Sequence, residues 1–443
     1  MEQPNAGGDG DARLTGRFWA ALVLTGVAAG GFGIAMMAVL HAVQHLAFGY
    51  RSGAFGVAVA RASDMRRLAA LVLGGALVGP AWYVVRRRYR TQSTDVDDAV
   101  WTGTGELPFR RSLATGVISE VAVGAGASLG REAAPKLMGA AAGSLLAQWT
   151  RLDPAQRRLL VACGGGAGMG AVYNVPLGGA LITAELLYGQ LSLAVLLPAL
   201  ACSVVATTIG WAYLPTHATY PGVATFDVHP TQVGFAMVAG PLIGLLAAAL
   251  VRLVGWVAHH QLRDRLVLVG PLLAFTLLGL LAIPYPLLLG NGKDLTHEAF
   301  LSTGHEAVGL LLALVLLKPL VTVLCLGSGA NGGGLFTPVM ATGAVLGLLL
   351  GDAWTAVWPG AAVASLAVIS AAAMTGAAMQ APLAALVLVL ELTRTTVGLA
   401  VPLVLATALA TLVVRYVDGY SIYSARLPGR HDVEENPVDA LNA

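Results

Sequence analysis

The sequence predicts an all-α, multi-pass membrane protein built from two related halves. Hydrophobic residues make up 56% of its 443 residues and charged residues only 11%, and the mean hydropathy is +0.74. Soluble proteins carry a charge on about a quarter of their residues, so a soluble globule is excluded. At roughly 20 apolar residues per crossing, the length allows about ten to fourteen hydrophobic helices. The near balance of 26 Lys and Arg with 24 Asp and Glu gives no reason to expect a nucleic-acid partner.

Apolar stretches follow one another along the whole chain. Their lengths are uneven, and several short ones are separated by Gly and Pro clusters in place of charged loops. Helices that break inside the membrane explain this pattern, because irregular backbone survives there only where protein or water satisfies its polar groups. The predicted helical runs are 18–48, 68–86, 112–127, 136–149, 157–172, 177–215, 231–260, 266–290, 306–326, 336–357, 362–378, 382–393 and 396–416.

The chain divides into a polar start, a long apolar domain and a polar end. Residues 1–17 form a predicted cytoplasmic segment, residues 18–426 the transmembrane domain, and residues 427–443 a short tail without an appended soluble domain. Basic residues favour the cytoplasmic side, which places there the N-terminus and the cluster Arg86, Arg87, Arg88 and Arg90. We therefore expect a multi-pass protein of the cell membrane.

An internal repeat carries more information than any single motif. Residues 130–135, which lead to Gly139 and Gly143, match residues 334–338, which lead to Gly343 and Gly347, at a constant offset of 204 residues. Farther along, Pro176 and Glu185 match Pro382 and Glu391 at an offset of 206 residues. The repeats cover about 68–215 and 266–426. In transporters such halves usually pack with opposite topology, and their broken helices meet near the bilayer midplane.

Each repeat contains a Gly-rich break that leads into a helix. The first N–H groups of a helix lack intrahelical partners, and the helix dipole adds partial positive charge there. Such an end binds anions. Two of these ends facing each other would hold an anion without a buried full positive charge, so that the anion could also leave rapidly.

Glu132 is the principal candidate for a functional side chain. A carboxylate inside a membrane is costly and by default indicates function. At a helix N-terminus its carboxylate would occupy the binding site of an anion. Protonation would release the carboxylate, so competition for that site would couple protons to anions. The alternative is a structural Glu132 that is stabilised by the dipole or paired with Arg131 or Lys136.

Three segments resemble the CLC family of chloride channels and proton-coupled chloride transporters. Residues 126–135 (GASLGREAAP) resemble that family's G-R-E-G-P motif, residues 334–338 (GLFTP) match its G-x-F-x-P motif, and Tyr423 resembles its pore tyrosine. The resemblance covers roughly residues 71–426, with both repeats in order. It implies about 18 tilted or partial helices in two inverted-topology repeats, and a homodimer with one anion pathway per subunit.

The resemblance also implies a function and site residues. The function is chloride transport across a lipid bilayer, as a voltage- or pH-dependent channel or as a proton-coupled antiporter, with chloride and protons as partners and without a cofactor or metal ion. Glu132 would be the external gating glutamate, and the Tyr423 hydroxyl would donate to the central anion. Backbone amides would line the external and central anion sites at Arg131, Glu132, Ala133, Leu335, Phe336 and Thr337.

One departure concerns anion selectivity. The family's G-S-G-I-P loop supplies a serine hydroxyl to the central anion, whereas residues 90–94 read RTQST, with neither Gly nor Pro. Counting back from Gly130 puts Thr91 at the serine position, with Ser93 as the nearest alternative. A relative selective for fluoride or another anion therefore remains an alternative to a chloride transporter.

A second departure concerns proton coupling. Many exchangers of the family carry an internal proton-transfer glutamate directly after a more widely shared one, and spacing from Pro176 puts Glu185 at the shared position and Leu186 at the transfer position. Leucine cannot titrate. Either water carries protons past Leu186, or the protein is an uncoupled channel. Because Glu185 has a counterpart in Glu391, a structural role as a cap or pair in both halves is favoured over a relay.

Two smaller hypotheses complete the prediction. Lys136 lies one helical turn after Glu132, so it would pair with Glu132 or add positive potential to the anion path; alternatively it points to the extracellular interface. An intramembrane enzyme using Glu132, Glu185 or histidines is a remote alternative, since no HExxH, GxSxG or paired-aspartate pattern lies in the spans. We expect no enzymatic activity and no metal site.

Overall fold

The computed structural model describes residues 14–90, 93–101, 103–330, 332–394 and 397–427. Most of the segment 1–17, the candidate Thr91 and nearly all of the tail 427–443 lie outside the described residues. Within them the chain folds into seventeen α-helices, close to the 18 expected. They are α1 (Gly16–Phe48), α2 (Phe55–Arg61), α3 (Asp64–Arg88), α4 (Val96–Trp101), α5 (Phe109–Gly124), α6 (Ala133–Trp149), α7 (Pro154–Tyr173), α8 (Pro176–Leu181), α9 (Leu193–Gly210), α10 (Pro230–His259), α11 (Gly270–Leu281), α12 (Lys293–Leu301), α13 (Val308–Gly327), α14 (Phe336–Val357), α15 (Val363–Met379), α16 (Pro382–Thr393) and α17 (Ala400–Val417).

Seven of these helices are long and apolar enough to cross a membrane: α1, α3, α9, α10, α13, α14 and α17. The other helices include the buried α7 and α15 and the partly exposed α2 and α11, and their uneven lengths agree with the uneven apolar runs. The cysteines Cys163, Cys202 and Cys325 are buried and free, in keeping with their positions inside apolar runs.

Two predicted runs were wrong as single helices. Residues 177–215 divide into α8, a π-helical continuation (Ile182–Leu187) and α9. The break follows at Gly189, whose φ of +73° is a conformation that glycine adopts without steric cost. Residues 266–290 contain only the twelve-residue α11, flanked by 3-10 turns at Asp264–Leu268 and Pro286–Leu288. Residues 188–192 (YGQLS) and 282–286 (AIPYP) mark these breaks, but each is too short to interrupt a run drawn from averaged hydropathy.

Close helix pairs occupy matching places in the two repeats. In the first, Gly164 of α7 contacts the Gly139 carbonyl of α6 so closely that a side-chain carbon at position 164 would collide with it. In the second, a side-chain carbon at Gly343 of α14 would lie 2.8 Å from the Ser370 carbonyl of α15. The run CGGGAGMG around Gly164 therefore serves helix packing, as predicted from its apolar context.

The two repeats also bind each other reciprocally through matched glutamates. The Glu185 carboxylate accepts hydrogen bonds from the amides of Leu383 (3.2 Å) and Ala384 (2.6 Å) at the start of α16. The Glu391 carboxylate accepts the equivalent pair from Leu177 (3.1 Å) and Gly178 (2.6 Å) at the start of α8. Each glutamate therefore caps the short helix of the other repeat, which confirms the structural role predicted from their symmetry.

Candidate functional site

The two Gly-rich breaks lie side by side. The Gly130 amide donates to the Gly334 carbonyl at 2.6 Å, and the Gly334 amide donates to the Gly130 carbonyl at 2.8 Å. These bonds form an isolated antiparallel bridge between the repeats. Helix α6 begins three residues after one bridging glycine and α14 begins two residues after the other. The bridge thus brings two helix N-termini together, as the repeat predicted.

Glu132, the residue before α6, extends its carboxylate to the start of α14. Its Oε1 accepts a hydrogen bond from the Phe336 amide at 2.9 Å. Its Oε2 accepts one from the Thr337 hydroxyl at 3.0 Å and one from the Tyr173 hydroxyl at 3.0 Å. Glu132 is only 2% exposed. A negative group therefore occupies the helix N-terminus of the opposite repeat, where backbone N–H groups and the helix dipole favour an anion.

This position of the Glu132 carboxylate requires glycine at position 334. A side-chain carbon added to Gly334 would collide with the Glu132 carboxylate, and one added to Gly130 would do the same. The absent side chains let the carboxylate approach the backbone of both breaks. The bridging glycines therefore form the walls of the Glu132 seat as well as joining the repeats.

A cavity of about 350 Å³ adjoins this seat, and Glu132, Ala133 and Tyr423 belong to its lining. Four basic side chains also line it: Arg86, Arg111, Lys136 and Arg426. Arg86 lies in the last turn of α3, the helix end that its basic cluster predicts to be cytoplasmic. The cavity thus extends from the predicted cytoplasmic end of α3 to Glu132. Asp95 and Asp97 line it as well, so its four basic side chains outnumber its three acidic ones and leave a small positive excess that favours anions.

The structure brings most of the predicted site residues together. Arg131 places its guanidinium 4.9 Å from the centre of the Tyr173 ring. Leu335 precedes α14 and is buried, whereas Tyr423 lines the cavity 7% exposed. Ser93 also lines the cavity, and its hydroxyl accepts a hydrogen bond from the Asp95 amide at 3.2 Å. Its own hydroxyl hydrogen stays available for an acceptor, whereas Thr91 lies outside the described residues.

The predicted pairing of Lys136 with Glu132 was wrong. Lys136 Nζ instead donates to both carboxylate oxygens of Asp97, at 3.1 Å and 2.9 Å, and lies 4.5 Å from the centre of the Tyr423 ring. Lys136 is 8% exposed, so its place at an extracellular interface was wrong too. The α6 helix directs Lys136 into the cavity, where a carboxylate from α4 meets it.

Sequence reasoning missed Tyr173 and Asp97. Tyr173 is the last residue of α7, and its hydroxyl lies 2.8 Å from that of Thr337 as well as bonding Glu132. Asp97 lies in the first turn of α4, where an acidic residue commonly serves only the helix dipole. A tyrosine hydroxyl at the end of the apolar, Gly-rich part of α7 (residues 159–173) was a signal for Tyr173. The sequence around Asp97 held no comparable signal.

The residues linked to proton coupling lie on the continuation of α8. Leu186 is fully buried in the π-helical segment Ile182–Leu187. Glu185, one residue earlier, is engaged in capping α16. The titratable group next to the predicted transfer position is thus occupied by a structural contact between the repeats.

Sequence comparisons identify relatives over most of the chain. Residues 74–415 match the family model described as voltage gated chloride channel. A putative chloride channel protein ClcB-like from Ralstonia nicotianae is 33% identical over 391 residues, which cover 85% of this chain and 89% of that protein. The voltage-gated ClC-type chloride channel ClcB from Citrobacter koseri is 30% identical over 409 residues, which cover 88% and 93% respectively.

Solved structures share the fold. A slow cyanobacterial Cl-/H+ antiporter superposes with a TM-score of 0.79 at 22% identity, over 93% of this chain and 97% of that chain. A CLC-type fluoride/proton antiporter superposes with a TM-score of 0.72 at 20% identity, over 92% and 97%. These likenesses confirm the predicted architecture. By its matched residues and by its relatives, the chain belongs to the CLC family.

Proposed function

We propose that the protein carries chloride across the membrane along a path that protonation of Glu132 opens. One observation carries the proposal: the Glu132 carboxylate accepts the Phe336 amide hydrogen bond at the start of α14. A helix N-terminus is an anion site, so a carboxylate and a chloride ion compete for it. The names of the sequence relatives, which are chloride channels, favour chloride as the anion.

Charge neutralisation drives the gating step. A charged carboxylate binds the amide and hydroxyl donors more strongly than a neutral carboxyl group does. Once protonated, Glu132 competes poorly and leaves, and chloride takes its place. The backbone amides of Arg131, Glu132, Ala133, Leu335, Phe336 and Thr337, together with the Tyr423 hydroxyl and that of Ser93, are the proposed ligands along the path.

The basic cavity provides the route to the gate. Chloride enters past Arg86 and Arg426, where positive charge raises its local concentration. Water in the same cavity supplies protons to Glu132 without a titratable group at Leu186. Proton access through the anion route explains how a chain with leucine at the transfer position still responds to pH.

Two modes of transport share this gate, an uncoupled channel and a proton-coupled antiporter. The solved neighbours described as proton antiporters favour the second mode, and the buried Leu186 favours the first. Purified protein in liposomes with an imposed chloride gradient separates them. Uphill proton movement establishes exchange, and chloride flux without proton movement establishes a channel.

The central experiment is chloride efflux from the same liposomes as a function of pH. We expect efflux that rises as pH falls, and in Glu132→Gln an efflux that no longer depends on pH, because the neutral amide mimics the protonated gate. Folded protein without efflux would refute the proposal and would reopen the alternative of an intramembrane enzyme. Transport of this kind requires no covalent step, so the proposal includes no enzymatic activity.

Anion identity is tested by replacing chloride with fluoride. The solved neighbour described as a fluoride/proton antiporter motivates this comparison. We expect chloride to move faster, because residues 334–338 (GLFTP) and Tyr423 follow the pattern of the chloride-transporting members. Faster fluoride than chloride efflux would replace the chloride assignment.

The organisation of the chain completes the proposal. We place residues 1–17 at the cytoplasmic side, residues 18–426 in the transmembrane domain with repeats at about 68–215 and 266–426, and residues 427–443 in a short polar tail. A homodimer with one pathway per subunit is the assembly that the resemblance to the CLC family implies. The mass of the purified protein in detergent, measured by light scattering, distinguishes a dimer from a monomer.

A further inference from the structure

We propose that the hydroxyl groups of Tyr173 and Thr337, with the backbone amide of Phe336, form the seat that a halide takes when Glu132 leaves it. The inference rests on the proposed function and adds two side-chain ligands to it. The side chains come from α7 and α14, one from each repeat. The seat is thus assembled only when the two halves pack together.

The three donors converge on one carboxylate. The distances from the Phe336 amide nitrogen, the Thr337 hydroxyl and the Tyr173 hydroxyl to the carboxylate oxygens are 2.9, 3.0 and 3.0 Å. Donors that point at one anion can bind another anion that takes the same position. The three donors are neutral hydroxyl and amide groups, which bind a halide weakly enough for it to be released again.

Tyr173 is held rigidly for this task. Its backbone carbonyl accepts a hydrogen bond from the Thr219 hydroxyl at 3.0 Å, and its ring packs edge to face against Phe336 with centroids 5.9 Å apart. The Arg131 guanidinium covers the ring at 4.9 Å. A cation over an aromatic ring is attracted to its face, so this contact also helps to fix the orientation of the phenol.

The departure of Glu132 leaves these hydroxyls in need of an acceptor. Thr337 is fully buried and Tyr173 is 2% exposed. Their hydroxyl oxygens lie 2.8 Å apart, so one can donate to the other, but the second hydrogen still lacks an acceptor. An unsatisfied buried donor costs free energy, and an arriving halide removes that cost. The exit of the carboxylate and the entry of the anion are thereby coupled.

The hydroxyl ligands at the Glu132 seat can be compared with the serine hydroxyl that the family's loop supplies to its central anion. That loop is replaced here by residues 90–94, which read RTQST. Tyr173 and Thr337 supply two hydroxyl donors at the Glu132 seat instead. Both hydroxyls therefore contribute to the choice among halides at this seat.

The test measures chloride binding calorimetrically in a Glu132→Ala background, where the seat is open. We expect Tyr173→Phe and Thr337→Val each to weaken binding by about tenfold, the effect of losing one hydrogen bond to a charged group. Thr337→Ser keeps the hydroxyl and retains affinity. The matched control is Thr342→Val on the same helix, whose hydroxyl bonds the Pro338 carbonyl at 2.9 Å, and it leaves binding unchanged.

The outcomes separate the two proposals. If folded Glu132→Ala binds no chloride, the proposed function fails. If it binds chloride and Tyr173→Phe binds equally well, the hydroxyl seat is refuted while the function stands. If Thr337→Ser loses as much affinity as Thr337→Val, the shape of the side chain is responsible and the hydroxyl role is refuted. Should Thr337→Val fail to fold, Tyr173→Phe decides the question alone.

Discussion

Replacement of Lys136 by methionine tests the buried pair beside the anion path. The ammonium bonds both oxygens of Asp97, at 3.1 and 2.9 Å, and the two residues are 8% and 5% exposed. Lys136→Met keeps the length of the side chain but leaves the Asp97 carboxylate buried without its cation. Removing one partner of a buried ion pair costs about 3–5 kcal/mol, which corresponds to roughly two to three and a half orders of magnitude in the folding equilibrium.

The assay is unfolding in detergent micelles followed by tryptophan fluorescence, since several of the eight tryptophans lie in the described helices. A double variant, Lys136→Met with Asp97→Leu, removes both charges. We expect it to recover most of the lost free energy of unfolding, because a buried ion pair and an apolar pair of similar volume are about equally stable. Equal stability of Lys136→Met and the unmodified protein would refute the pair's role in the fold.

A second measurement on the same variants addresses transport. Lys136 lies 4.5 Å from the Tyr423 ring and lines the cavity, so its charge adds positive potential to the anion path. We expect lower chloride flux in folded Lys136→Met than in the unmodified protein, and flux near the unmodified level in the double variant, which leaves the net charge of the lining unchanged. Flux in Lys136→Met that equals the unmodified flux at every pH would remove this electrostatic role.

Three further predictions concern the rest of the fold and the cavity beside Glu132. Glu185→Ala and Glu391→Ala should each destabilise the protein by about 1–2 kcal/mol in thermal unfolding, because each removes a two-bond helix cap; a large loss from only one of them would contradict the reciprocal arrangement. Gly164→Ala should lower the free energy of unfolding by about 1–3 kcal/mol, because it forces α7 away from the Gly139 carbonyl. The control Gly31→Ala, which has open space around it, should be neutral or stabilising. Equal stability of the two variants would count against the close contact. Arg426→Gln should lower chloride flux severalfold at about 0.01 M salt and less at about 0.15 M, because salt screens the charge of Arg426 in the cavity. A loss of flux that does not depend on salt would indicate a structural role for Arg426.

The architecture of the two halves could be predicted because its signals are local. Apolar runs interrupted by Gly and Pro mark helices and their breaks, and the matched segments at 130–143 and 334–347 reveal the duplication. The start of α6 at Ala133 agrees with a helix N-terminus that tolerates Pro135 in its first turn. The capping role of Glu185 followed from its counterpart Glu391. These features depend on a few adjacent residues, which a sequence displays directly.

Averaged hydropathy failed to show where helices end inside a long apolar run. The run 177–215 contains a π-helical segment and a turn before α9 at residues 188–192 (YGQLS), of which Gly189, Gln190 and Leu191 are exposed. A few polar residues and one Gly barely lower the hydropathy of a long run, so the average hides a break that the individual residues mark.

By itself the sequence determined the membrane class, the duplication, and the candidate gate Glu132 beside an anion-binding helix end. Only the tertiary structure decided which groups surround that gate. Tyr173 reaches Glu132 from 41 residues along the chain, and Lys136 meets Asp97 from 39 residues away. The physical reason is that hydrogen bonds and ion pairs act over about 3 Å in space, and the packing of helices, which no local pattern encodes, brings those atoms within that distance.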